Sequence, residues 1–129
     1  MMNCIVVTPE ETALEQKVEF VALPLFDGEI GISTKHSPLI GRLGYGEMRL
    51  RSGDTTTRYY LDGGFVQVAD DVVSVLTNRV TPADQLDLEV AQEQLNTAQA
   101  RPANSPELME IRNRTVEQAR AQLRMARKS

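Results

Sequence analysis

The chain has 129 residues, a net charge of −4, 5% aromatic residues and no tryptophan. That length supports one domain with an addition and a core that buries roughly two thirds of the unfolded surface. An acidic, aromatic-poor chain has neither the basic footprint nor the stacking platforms of a nucleic-acid binder, so no nucleic-acid partner is expected. It holds no run of about 18 apolar residues, so no membrane-spanning helix is expected. The start, MMNCIVVTPEE, has no basic n-region and no cleavage site, and secretion is not expected.

In chain order, Cys4 to Thr8 is a short apolar run stopped by Pro9, which predicts a strand. Cys4 is the only cysteine; it can form no internal disulfide and reads as a small buried hydrophobe. Lys17 to Leu23 alternates and then turns apolar, a strand with one face inside. Asp27-Gly28 is a hairpin turn, with Ile30 to Ser33 as the return strand. Ser37 to Gly46 reads as a loop shaped by Pro38 and three glycines. Glu47 to Arg51 alternates, Ser52-Gly53-Asp54 turns, and Thr55 to Leu61 is β-branched and aromatic. Asp62-Gly63-Gly64 reads as a turn, Phe65 to Val68 as a strand, Ala69-Asp70-Asp71 as a turn and Val72 to Leu76 as a strand. Strands of about five residues at roughly ten-residue spacing predict a β-sandwich or flattened barrel.

The period changes near Pro82. Thr81-Pro82 reads as a helix start, a capping hydroxyl before a proline at the first helical position. Leu88, Ala91, Leu95 and Ala98 follow at helical spacing. Arg101 to Asn104 breaks the helix, Ser105-Pro106 restarts it, and Val116, Ala119, Leu123 and Ala126 repeat the stripe. The reading is an antiparallel two-helix hairpin. Such a hairpin has little core of its own and is expected to be held weakly and to move.

Charge divides the same way. Residues 1–80 carry seven basic and eleven acidic side chains, and residues 81–129 carry seven of each. From residue 112 to the end of the last helix, Arg112, Arg114, Arg120, Arg124, Arg127 and Lys128 face one acid, Glu117. This is either a solvated face or a docking face for an acidic partner. Each exposed pair contributes about 0.2–1 kcal/mol, so several together amount to a few kcal/mol.

Reactive clusters are scarce. His36 is the single histidine, and metal centres usually take more than one His or Cys. Gly41, Gly44 and Gly46 lack the Lys-Ser/Thr of a phosphate loop. No catalytic residue, no metal and no cofactor is expected. An enzyme of β-sandwich or cupin type would need a ligand cluster that the chain lacks.

Several blocks carry a resemblance: Val7-Thr8-Pro9-Glu10, Asp27-Gly28-Glu29-Ile30-Gly31-Ile32, His36-Ser37-Pro38-Leu39-Ile40, Gly63-Gly64-Phe65-Val66 and Leu86-Asp87. In combination, over nearly the whole chain, they resemble the epsilon subunit of bacterial and chloroplast F-type ATP synthases. The resemblance implies an all-β N-terminal sandwich of about ten strands over residues 1–80 and a C-terminal α-helical hairpin over residues 81–129. It implies a non-catalytic rotor subunit of the central stalk, whose sandwich binds the gamma subunit and rests on the polar loops of the c ring. The hairpin would fold on the sandwich or extend toward the alpha and beta subunits and brake ATP hydrolysis.

Residue by residue, Glu29 matches the acidic position facing the c ring, and Thr8, His36 and Gly41 match positions near the gamma and c-ring contact. Arg112, Arg114, Arg120, Arg124 and Arg127 would meet acidic alpha and beta surfaces. The expected location is peripheral, through the complex, on the cytoplasmic face of a bacterial membrane or the stromal face of a thylakoid. Some members bind ATP through an Ile/Leu-Asp-x-x-Arg-Ala motif. Leu86, Asp87 and Ala91 match it, but Val90 replaces the arginine that would pair with a phosphate. Weak or absent ATP binding follows. The alternative is a nucleotide-sensing regulatory protein of the same architecture without a rotor role.

Overall fold

The computed structural model describes residues 1–127; Lys128, counted above with the basic set, lies outside the described residues. The chain divides into two compact units, Met1–Pro82 and Ala83–Ser129.

The first unit holds eight strands: β1 (Met2–Val7), β2 (Thr12–Val18), β3 (Phe20–Leu25), β4 (Gly28–Ser33), β5 (Leu39–Ser52), β6 (Thr55–Ala69), β7 (Val72–Leu76) and β8 (Val80–Pro82). Their order is β2-β1-β7-β6-β5-β3-β4, with β8 also on β6. The β1–β7 pair is parallel, and every other pair is antiparallel. Alternate residues point inward to one core, including Cys4 and Val6 of β1, Met48 and Leu50 of β5, Val66 and Val68 of β6, and Val73 and Val75 of β7. Burial pushes the Cys4 thiol up to about 12, so it stays protonated at neutral pH and is no nucleophile.

The sandwich has eight strands where about ten were expected, because two strands are long. β5 and β6 run 14 and 15 residues and stay paired from Leu39↔Val68 to Ser52↔Thr55. The expected loop at Ser37–Gly46 and the expected turn at Asp62-Gly63-Gly64 therefore fall largely within strands. What changes at 62–64 is the outer partner of β6. Residues Tyr59, Tyr60 and Leu61 pair with β8, whereas Phe65 to Ala69 pair with β7.

Gly63 and Gly64 do have positive φ, at 72° and 113°, as a left-handed turn requires. Here they bend a strand instead of ending it. The expected strand at Lys17–Leu23 splits at Glu19 for a similar reason. Val18 pairs with Met2 of β1, and Phe20 pairs with Ser33 of β4 and Arg51 of β5. Alternation does not register a change of partner.

The second unit begins with a 3-10 turn (Ala83–Gln85), followed by α1 (Leu88–Gln99) and α2 (Pro106–Arg127). The helix does not start at Thr81-Pro82, because those residues complete β8 against Tyr60 and Tyr59. Asp87 caps α1 instead: its Oδ1 accepts from the backbone N–H of Glu89 at 2.8 Å and of Val90 at 3.1 Å. α2 starts as expected, with Ser105 Oγ accepting from the Leu108 N–H at 3.2 Å. The hairpin core is Ala91, Leu95, Ala119 and Leu123, with Val116 packed against it.

Candidate docking surface

The outward face of the sandwich departs from the usual polar exterior. Phe65 stands out of phase with buried Val66 and Val68 and is 59% exposed; Leu76, its cross-strand partner on β7, is 53% exposed. On the other side Phe65 pairs with Arg42 of β5, whose neighbour at i−2, Ile40, is 78% exposed. The guanidinium of Arg42 lies 4.4 Å from the ring centroid of Phe26, which is 69% exposed and sits in the β3–β4 turn. Leu76 in turn pairs with Val7 at the end of β1. A row thus crosses the sheet from Val7 through Leu76, Phe65 and Arg42 to Phe26. Contiguous exposed apolar groups of this kind mark interaction sites.

Two of the positions expected to meet partners, Thr8 and Gly41, border this row. Thr8 follows Val7 and closes a turn, its Oγ1 donating to the Glu11 carbonyl at 3.3 Å. Gly41 lies between Ile40 and Arg42 and pairs with Val66. His36 lies apart, in the turn before β5, with Nδ1 2.7 Å from the Ser37 carbonyl. The four large exposed apolar residues in and beside this row, Leu76, Phe65, Ile40 and Phe26, were not among the expected contacts. Their signal was present in the sequence, since Phe65 and Leu76 occupy the opposite phase of their strands from the core valines.

Glu29 is on β4 with its carboxylate exposed but already paired. Arg49 of β5 donates to its Oε1 at 2.9 Å and Oε2 at 3.3 Å. Arg49 also reaches Glu47 at 3.0 Å, and Glu47 accepts from Arg58 Nε of β6 at 2.7 Å. Its hydrogen bonds to Glu29, then to Glu47, raise the Arg49 pKa above its ordinary value. Charges alternate along this chain, and Glu29 is its exposed end.

On the hairpin, Arg120, Arg124 and Arg127 recur at i, i+4 and i+7 and form one exposed stripe on α2. The other two arginines lie elsewhere. Arg114 is exposed on a different side. Arg112 falls in register with the Val116–Ala119–Leu123 stripe and is half-buried, with its Nε shielded from solvent and without a hydrogen-bond partner.

The residues matched to the nucleotide motif are otherwise engaged. Asp87 caps α1, Ala91 is in the hairpin core, and the Leu86 N–H donates to the Ala83 carbonyl at 3.2 Å. A groove of about 410 Å³ lies beside α1, lined by Leu88, Glu89, Gln92, Glu93, Asn96 and Arg127. Two carboxylates and one cation make it a poor host for a triphosphate. Among the described residues no three of His, Cys, Asp or Glu come together as a metal site, and no helix is long and apolar enough to cross a membrane.

Comparison with known proteins agrees with this architecture. The model of the ATP synthase delta/epsilon chain β-sandwich domain matches residues 1–83. The ATP synthase epsilon chain of Rhodopirellula baltica is 49% identical over 126 residues, covering 98% of each chain. That of Desulforamulus reducens is 34% identical over 96 residues, 74% of this chain and 73% of its own.

The fold also occurs in a chain of the Euglena gracilis mitochondrial ATP synthase solved by cryo-EM as the OSCP/F1/c-ring assembly. The TM-score there is 0.84 at 22% identity, over 93% of this chain and 78% of that one. A chain of the Tetrahymena thermophila mitochondrial ATP synthase central stalk and c ring matches with a TM-score of 0.76 at 12% identity, over 97% and 96% of the two chains. The sandwich is thus that of the ATP synthase delta/epsilon class, and the chain belongs to the epsilon-chain family within it.

Proposed function

We propose that this chain is a non-catalytic subunit of the rotor, joining the gamma subunit to the c ring so that ion flow is coupled to ATP synthesis. The observation that carries this reading is the exposed apolar row of Leu76, Phe65, Ile40 and Phe26 on the sandwich. It gives gamma a face that buries little until a partner covers it. Glu29, at the exposed end of its charge chain, is the contact for the polar loops of the c ring; Thr8 and Gly41 border the apolar row, and His36, in the connection before β5, is a further contact where the gamma and c-ring interfaces meet. The protein is held peripherally, through the complex, at the cytoplasmic face of the membrane.

The hairpin is the brake on hydrolysis. The Arg120–Arg124–Arg127 stripe faces acidic alpha and beta surfaces when the helices extend. Exposed Leu108, Met109 and Ile111 at the start of α2 give the same element an apolar contact. Titrating the chain into a purified core of alpha, beta and gamma subunits tests both claims. Tight binding with falling hydrolysis is expected; no association at micromolar concentration overturns the rotor reading. Replacing Arg120, Arg124 and Arg127 together with alanine should weaken the braked state by about 1–2 kcal/mol, roughly tenfold in its population, and leave core affinity within about twofold. Unchanged inhibition would make the stripe a solvated face.

The nucleotide-sensing alternative loses ground on the hairpin geometry. Calorimetric titration of the isolated chain with ATP should give no saturable heat. A micromolar dissociation constant would restore that alternative. Asp87→Ala should lower the stability of the hairpin by about 1 kcal/mol through loss of the cap, whether or not nucleotide is present.

A further inference from the structure

Among the described residues only three that are not glycine have positive φ: Lys35 at 65°, Asp70 at 51° and Asp71 at 59°. Lys35 is remote in sequence from the other two yet meets them in one place. Asp70 and Asp71 form the two-residue turn between β6 and β7, closed by the Ala69↔Val72 pair. A turn with both central residues left-handed is ordinarily filled by Asn-Gly or Asp-Gly. Asp at the second position is the less comfortable choice, and its carboxylate has another use. Asp71 Oδ1 accepts from the backbone N–H of Lys35 at 2.6 Å. Lys35 precedes His36 in the connection between β4 and β5, where the His36 N–H also donates to the Ser33 carbonyl at 3.1 Å. The Asp71 carbonyl also accepts from the Asn3 N–H of β1 at 2.9 Å, so the clamp is anchored on both sides. Strain held by the surrounding structure concentrates where a shape must be kept.

We propose that Asp71 is a positioning residue for the His36 loop. Its carboxylate holds Lys35 in the left-handed region and so presents His36, Ser37 and Pro38 to the rotor partner in a fixed shape. The inference rests on the reading that this loop borders the gamma and c-ring interface. Preorganising a contact loop removes an ordering cost from binding.

Two substitutions separate the clamp from the turn. Asp71→Gly suits φ 59° without steric cost and keeps the hairpin, but it deletes the acceptor. Asp71→Asn tolerates the same φ and keeps an Oδ1 acceptor. In the full chain, amide hydrogen exchange at Lys35 should quicken about tenfold or more in Asp71→Gly and stay within about threefold of the parent in Asp71→Asn. Affinity for the gamma-containing core should fall about tenfold in the glycine variant and hold in the asparagine variant. Unchanged exchange at Lys35 in Asp71→Gly overturns the clamp. Faster exchange with unchanged affinity overturns its role in docking. His36→Ala in the same assay locates that failure: unchanged affinity there as well means that the loop is no contact, and weakened affinity means that the loop binds without help from Asp71.

Discussion

Gly64→Ala should unfold most of the sandwich at temperatures where the parent is stable. A Cβ built at residue 64 would stand 1.8 Å from the Leu76 carbonyl oxygen, 2.8 Å from its carbon and 2.9 Å from Thr77 Cα. All three are backbone atoms, so no side-chain rotation relieves the clash. Moving them means shifting the end of β7, where Thr77 Oγ1 accepts from the Asp62 N–H at 3.2 Å and donates to the Arg79 carbonyl at 3.3 Å. The residue is also at φ 113°, outside the ordinary range of L side chains.

Clash and strain together should cost at least about 4 kcal/mol, among the largest effects of a single substitution. Against a total of roughly 5–15 kcal/mol, that lowers the melting temperature by about 15 °C or more for a unit of this size. Gly53→Ala is the control: its φ is 60° but nothing lies within 4 Å of the added Cβ. The φ strain alone should cost about 1 kcal/mol. Thermal unfolding followed by circular dichroism compares them, and equal melting temperatures would show that β7 yields freely.

Phe65→Ser and Ile40→Ser should do the reverse, leaving stability intact and removing binding. Both side chains are exposed and out of phase with the core, so each change should alter stability by about 0.5 kcal/mol or less. At the centre of an interface a large apolar anchor is worth about 2 kcal/mol, which is a loss of roughly 30-fold in affinity for the gamma-containing core from Phe65→Ser alone. The double variant should approach complete loss at micromolar concentration. Calorimetry beside a urea titration reads both quantities. Parental affinity in the double variant would place the gamma contact on another face.

Particular residues show how far the sequence carries. The change of period near Pro82, the Asp27-Gly28 hairpin and the Ser105 start of α2 were all legible, because each depends on neighbours within a few positions. The family was legible too, since its blocks are short contiguous strings. The end of β8 at Pro82 was misread as a helix start. Thr-Pro has the local chemistry of a cap, and only pairing with Tyr59 and Tyr60, more than twenty residues away, makes it strand.

The site divides along the same line. That Glu29 and His36 are candidate contacts came from motif strings. That Glu29 is held by Arg49 across the intervening β3, and that the His36 loop is tied to Asp71, are facts of register between distant strands. The basic helix was visible as composition, yet the sorting of Arg120, Arg124 and Arg127 from half-buried Arg112 depends on which stripe packs against α1.

By itself the sequence determined that this chain is a sandwich followed by a helical hairpin of the epsilon family, because alternation, caps and turns act locally along the chain. Only the tertiary structure decided that β5 and β6 run through their glycines, that Gly64 admits no side chain, and that Phe65, Leu76, Ile40 and Phe26 form one exposed row. Those features exist where residues remote in sequence come within a few ångströms, and proximity of that kind has no local signature.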